Sequence, residues 1–136
     1  MTQYYIGCKQ VEAWEQESET GHPGYAVKYP DGYISWSPKE TFEAAYLPMG
    51  EGNDGSRVTQ EMVNNFVSYI ESARMANHTV VCGRLVNGFT VIEESACVDA
   101  KNYDHDIGFK YACQKVESRA WHLLGFLLAC ARNGFK

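Results

Sequence analysis

Apolar and polar residues change period several times along the chain, and each change marks an element. Tyr4 to Ala13 alternates loosely and is rich in strand formers, which predicts a first strand. Glu15 to Pro23 is acidic and polar, ending in Gly21-His22-Pro23-Gly24, which is loop chemistry. Tyr25 to Tyr29 alternates as a strand, Pro30-Asp31-Gly32 turns it, and Tyr33 to Trp36 returns as its hairpin partner. Ser37-Pro38-Lys39-Glu40 predicts a helix start, with Ser37 as cap, Pro38 at the first helical position and Glu40 closing a capping box. That helix runs to about Tyr46 and shows Phe42, Ala45 and Tyr46 on one face. Pro48 and the glycine-rich Met49 to Gly55 then end it in a flexible loop.

Thr59 caps a predicted middle helix that reaches about Met75, with Met62, Val63, Phe66, Tyr69, Ile70 and Ala73 as its buried stripe. Asn77-His78 breaks it, and Thr79 to Val86 reads as a strand. Asn87-Gly88 signals a tight hairpin whose two central residues both need positive φ. Phe89 to Ile92 forms the return strand, extending toward Cys97. Helical spacing resumes by about Asp106 and persists to Arg132, carried by Phe109, Ala112, Cys113, Val116, Ala120, Leu123, Leu124, Leu127 and Ala131, with Asn133-Gly134 as the stop. Its second half, Ala120 to Ala131, is apolar on nearly all sides. Two arrangements follow: the exposed side meets a partner subunit, or the helix is central and wrapped by the sheet. The expected fold is α+β: antiparallel β-hairpins forming a sheet, a short helix, a middle helix and a long C-terminal helix, in one domain spanning 1–136, as an oligomer.

With 136 residues, 45% of them apolar, the chain has material for a real core. A net charge of −5 argues against a general binder of long nucleic acid, although a few local cations still outweigh distant screened acids. The five cysteines are odd in number, none forms a C-x-x-C pair, and the N-terminus has no signal-like segment. Free thiols in a reducing cytoplasm are expected, with neither zinc nor a dithiol site and no membrane span.

Catalytic motifs are missing. Asp104-His105-Asp106 suits a helix start better than a metal site, and Glu93-Glu94 would face opposite sides of a strand. Neither a catalytic residue, a metal nor a cofactor is expected. A binding reading is better supported. A strand leaving the Asn87-Gly88 hairpin and feeding a helix through a polar loop makes a shallow cup. Phe89 would offer a stacking face, Asp99 and Asn102 loop acceptors, and Lys115 and Arg119 cations four residues apart on one helix face. Arg57, at the end of the glycine-rich loop, could reach over such a site as a phosphate fork, and His22 could donate to a ligand. The plainer alternative is a hairpin packed on a helix with ordinary surface charges.

Two blocks of sequence carry a resemblance. Tyr4 to Ala13 with Gly24 to Tyr46 (including S-W-S-P-K-E), and Val86 to Gly108 (including N-G-F…S-A-C-V-D…N-Y-D), resemble a widespread family of small phage-encoded proteins. That family is identified as including the Thoeris anti-defence sponges. The resemblance implies a sheet with helices assembled as dimers or as a hexamer of dimers, with a pocket for cyclic ADP-ribose isomers made by TIR-domain enzymes. It implies that the signal is held intact, and that CBASS cyclic oligonucleotides are taken up at separate sites in some members. Phe89 would match the pocket aromatic, Asp99 or Asn102 the polar base contact, and Arg57, Lys115 and Arg119 the arginines. Lys115 in place of Arg, Asp99 in place of an amide, and the acidic Glu12 to Glu19 segment depart from the family pattern and leave the isomer open. The alternative is a phage protein–protein module acting on a host factor, supported by the apolar last helix; a small nucleotide-processing enzyme is the weakest reading.

Overall fold

The structure is a computed structural model describing Met1–Lys136. Its backbone divides into two units: Met1–Arg57 together with Leu127–Lys136, and Val58–Phe126. The class is α+β, with two separate antiparallel three-stranded sheets where the sequence suggested one.

In the first unit, strands β1 (Glu12–Glu15), β2 (Gly24–Lys28) and β3 (Ile34–Pro38) pair in that order. Of the expected first strand over Tyr4 to Ala13, only Glu12 and Ala13 are in β1. Tyr4, Tyr5 and Ile6 are exposed and unpaired, because the free edge of β2 is taken by Glu12–Glu15 instead. That register sets Glu12 opposite Lys28, an opposite-charge cross-strand pair. Gly24 is required at the start of β2, since the Trp36 ring and the Ser37 carbonyl occupy the place of a Cβ. Helix α1 (Lys39–Ala45) lays Phe42 between Tyr25 and Tyr46, with ring centroids 4.4 and 4.8 Å away.

The expected cap on α1 is absent. Ser37 and Pro38 complete β3, Pro38 is extended (φ −57°, ψ 146°), and no side chain caps the helix; the Lys39 amide donates to the Pro23 carbonyl instead. The glycine-rich segment has no regular structure but is tied by hydrogen bonds. The Asn53 amide group donates to the carbonyls of Met49 (3.0 Å) and Arg57 (2.9 Å), and Gly50, Gly52 and Gly55 take positive φ.

In the second unit, Thr59 caps α2 (Gln60–Phe66), its hydroxyl accepting from the Met62 amide at 3.3 Å. The helix buries Met62, Val63 and Phe66 and then stops. The stretch expected to continue it to Met75 is a nine-residue strand, β4 (Val67–Met75), joined to α2 without a loop. It is an edge strand pairing with β5 (His78–Leu85), whose other side carries β6 (Thr90–Ala96). In consequence Tyr69 and Ala73 are exposed rather than part of a helical stripe.

The β4–β5 turn uses Ala76 at φ 55°. In the β5–β6 turn only Gly88 is left-handed (φ 87°). Its amide donates to Leu85 and the Leu85 amide to Phe89, a type I turn closed by a left-handed residue rather than the doubly positive turn expected. After a 3-10 turn (Ala100–Asn102), helix α3 runs from His105 to Asn133 and stops at Gly134 (φ 67°).

Strand β5 alternates, burying Thr79, Val81, Gly83 and Leu85. Helix α3 answers with Ala112, Val116, Ala120 and Leu124, one per turn. Two glycines let the layers touch: a Cβ on Gly83 would lie 2.7 Å from a Val116 methyl, and one on Gly108 would overlap the Thr79 hydroxyl. Within this unit a single stripe of the helix is covered, while Trp121 and Phe126 stay 36% and 67% exposed, so the sheet does not wrap it.

Candidate functional site

The first turns of α3 present Asp104, Ile107, Gly108 and Tyr111 on one face, because residues three and four apart align along a helix. That face meets the far end of β5 and the connection after β6, leaving a cleft of about 170 Å³. Thr79 forms the floor, Asn77 and Asn102 lie at the rim, and the Tyr103 and Tyr111 rings are walls. Asp104 is a helix cap, its carboxylate accepting from the Asp106 (3.0 Å) and Ile107 (3.3 Å) amides, as the helix-start reading expected.

A hydrogen-bonded chain runs through the cleft wall. Buried Thr79 shares a 3.0 Å bond with the Tyr103 hydroxyl, which lies 3.1 Å from His105 Nδ1, while His105 Nε2 lies 3.2 Å from the Ser72 hydroxyl. Both imidazole nitrogens therefore have partners inside the fold. His105 also stacks near Phe109, and the Arg74 guanidinium lies 3.8 Å over the Tyr103 ring. Asn77 donates its side-chain amide to the Cys97 carbonyl while its main-chain carbonyl accepts from the Cys97 amide, which leaves its side-chain carbonyl available, and the Asn102 side chain has no protein partner.

The residues singled out from the sequence are distributed as follows. Asn102 lines the cleft, and Asp99 caps the 3-10 turn beside it through the Lys101 amide (2.9 Å). Lys115 lies one turn beyond Tyr111 and donates to the Glu94 carbonyl (2.7 Å); Arg119, a further turn along, pairs with the Glu93 carboxylate (2.7 Å). Phe89 is 54% exposed at the opposite end of β6, and five strand residues separate it from Ser95 at the cleft, roughly 20 Å. Phe89 is thus not brought beside Asn102.

Arg57 and His22 belong to the first unit. Arg57 is exposed, and its charge, with that of Arg132, helps lower the Asp54 carboxyl, chiefly held down by hydrogen bonds from the Ser56 hydroxyl and amide. His22 lies in the β1–β2 turn, its Nδ1 2.8 Å from the Thr20 hydroxyl. No cluster of three or more metal-ligating side chains forms, and all five cysteines are free thiols.

Sequence reasoning missed Thr79, Asn77, Tyr103 and Arg74. Their signal was the alternation of Ile70, Ser72 and Arg74 opposite Gly83, Val81 and Thr79, legible once Val67 to Met75 is read as a strand.

No helix is long and apolar enough to cross a membrane. Neither a curated protein nor a solved structure matches the chain. Residues 57–131, more than half of the chain and all of the cleft, match the phage protein (N4 Gp49/phage Sf6 gene 66) family, and the chain belongs to that family.

Proposed function

We propose that this phage protein is a non-catalytic binder that sequesters a cyclic nucleotide signal, an isomer of cyclic ADP-ribose, and holds it intact. The observation that carries this reading is the cleft on α3, where amides, hydroxyls and two tyrosine rings converge from three segments. Such a surface suits recognition of a flat ring with hydrogen-bonding edges. His105, behind the Tyr103 wall of the cleft, is engaged at both nitrogens, which favours holding over proton transfer. Lys115 stands one turn from Tyr111 and donates to the Glu94 carbonyl, which adds positive potential beside the cleft. The resemblance of the N-terminal and second blocks to the Thoeris anti-defence sponges supports the same ligand.

About 170 Å³ is less than pockets that enclose a whole ligand, which run from roughly 300 Å³ upward. The cleft takes one ring system, and the remainder of the ligand lies outside it, to be covered by a second copy in a homo-oligomer. Titration calorimetry with cyclic ADP-ribose isomers, followed by heat release and mass analysis, tests this. Intact ligand is expected; a linear product or no binding overturns it. A cyclic oligonucleotide added to the loaded protein reports whether a second site exists.

A second reading, a module for a host factor, draws on exposed Trp121 and Phe126. Size exclusion with light scattering separates the two, since a closed oligomer would consume those residues and a monomer would leave them free.

A further inference from the structure

We infer that the cleft holds the heterocyclic base of a nucleotide and that Arg74, on β4, grips the phosphate. This rests on the nucleotide-binding reading and adds a residue and a division of labour to it.

The cleft itself is a poor place for an anion. Its lining contains the Asp104 carboxylate and no Lys, Arg or His, so a phosphate inside would meet a like charge in a half-enclosed space. A neutral ring fares better. The volume equals that of roughly half a dozen waters, the scale of one planar ring system. Tyr111, half exposed, offers a flat face, and Ile107 an apolar edge one turn away. The open side-chain carbonyl of Asn77 and the unpartnered Asn102 amide supply an acceptor and a matched donor–acceptor pair, the pattern a base edge requires.

The charge must then be met just outside, and Arg74 is placed for it. Its position on β4 pairs with Thr79, the cleft floor. Its guanidinium is stacked on Tyr103, a cleft wall, without lining the cleft. Nε donates to the Ala76 carbonyl at 2.8 Å, which fixes the plane of the group. Both terminal nitrogens are without a protein acceptor, and no carboxylate pairs with them. Arg119, by contrast, is neutralised by Glu93, and Lys115 is directed to a backbone carbonyl. A stacked, oriented and unpaired guanidinium at the edge of an aromatic-walled cleft is the geometry that takes two phosphate oxygens at once.

The experiment uses the full chain and two probes, adenosine and adenosine diphosphate, with affinities measured by calorimetry at low salt. Wild type should bind the diphosphate roughly tenfold or more tighter than adenosine, the gain of one charge-assisted pair. R74Q should bring the diphosphate down to the affinity of adenosine while leaving adenosine itself unchanged, and K115A should change the ratio less. N102A should weaken both probes alike. The inference is overturned if R74Q leaves the ratio intact, if K115A alone abolishes it, if N102A changes neither affinity, or if neither probe binds at millimolar concentration. A chain that ignores cyclic ADP-ribose yet shows the R74Q pattern refutes the sequestration reading and keeps this one. A chain that binds cyclic ADP-ribose with R74Q unaffected does the reverse.

Discussion

Gly83→Ala is the most informative single methyl that can be added to this molecule. Gly83 is buried on β5, where its missing Cβ admits a Val116 methyl to 2.7 Å, with the other methyl at 3.7 Å. Carbon atoms rest at about 3.5–4.0 Å, so the new methyl would be about 1 Å too close. Val116 cannot swing aside, because a β-branched residue in a helix has essentially one rotamer. Helix α3 must therefore lift, loosening Val81 and Ala112 beside it. Overpacking of this kind costs about 1–3 kcal/mol, offset by about 0.5–1 kcal/mol from the lower backbone entropy of alanine in the unfolded chain.

Val116→Ala alone removes two buried methyls and should cost about 2–3 kcal/mol, transfer plus cavity. The double variant places the methyl added by Gly83→Ala in the space vacated by valine, so its loss should fall below the sum of the single losses by about 1 kcal/mol or more. Urea unfolding followed by far-ultraviolet circular dichroism supplies the cycle, provided the denaturant slopes of the variants agree. Additivity within about 0.3 kcal/mol would show that the close approach of β5 and α3 is not what selects glycine at position 83.

Gly108→Ala should destabilise by a similar amount and also abolish cleft binding, since its Cβ would meet Thr79 Cβ at 2.9 Å as well as the hydroxyl; a thermal melt alongside adenosine titration checks both. Asp104→Ala removes the α3 cap and should cost about 1 kcal/mol by the same urea assay. Arg119→Ala should cost about 1 kcal/mol, a loss that shrinks in high salt, because the Arg119 side of its pair with Glu93 is half exposed. Under the sequestration reading it should also weaken cyclic ADP-ribose binding without changing the mass by light scattering. Burial raises the Cys113 thiol above its usual range. A raised thiol favours folding fully below the ordinary value near 9.0, and that share is lost as pH climbs through the folded value, so alkaline titration should destabilise wild type more than Cys113→Ala.

The α+β class, both hairpins, α1, the Thr59 cap and α3 were legible because each is signalled locally: alternation around Pro30-Asp31-Gly32, a cap before an apolar stripe, four-residue steps to Asn133-Gly134. The error at Val67 to Met75 had a physical source. Phe66, Tyr69, Ile70 and Ala73 fit a helical stripe, while Ile70, Ser72 and Arg74 fit a strand whose inner face is only half apolar. The partner strand decides between them, and a partner is invisible in a local window. The same error hid Arg74 and Ser72 from the candidate site. Asn102 lines the cleft, and Lys115 and Arg119 follow one and two turns beyond Tyr111, positions that helix and loop spacing alone give, whereas the distance of Phe89 from Asn102 depends on the length of β6.

The junction of Phe66 with Val67 has an evolutionary consequence. A helix that becomes a strand with no intervening residue leaves only the bulge at Ser68, already used between Val67 and Tyr69, to absorb a change in chain length. One added residue there would exchange the two sides of β4, turning Ile70 and Arg74 away from α3 and bringing Glu71 inward. Natural variants of this protein should accordingly accept insertions among the glycines of 50–55, whose backbone is irregular, and show an invariant count from Thr59 to Met75.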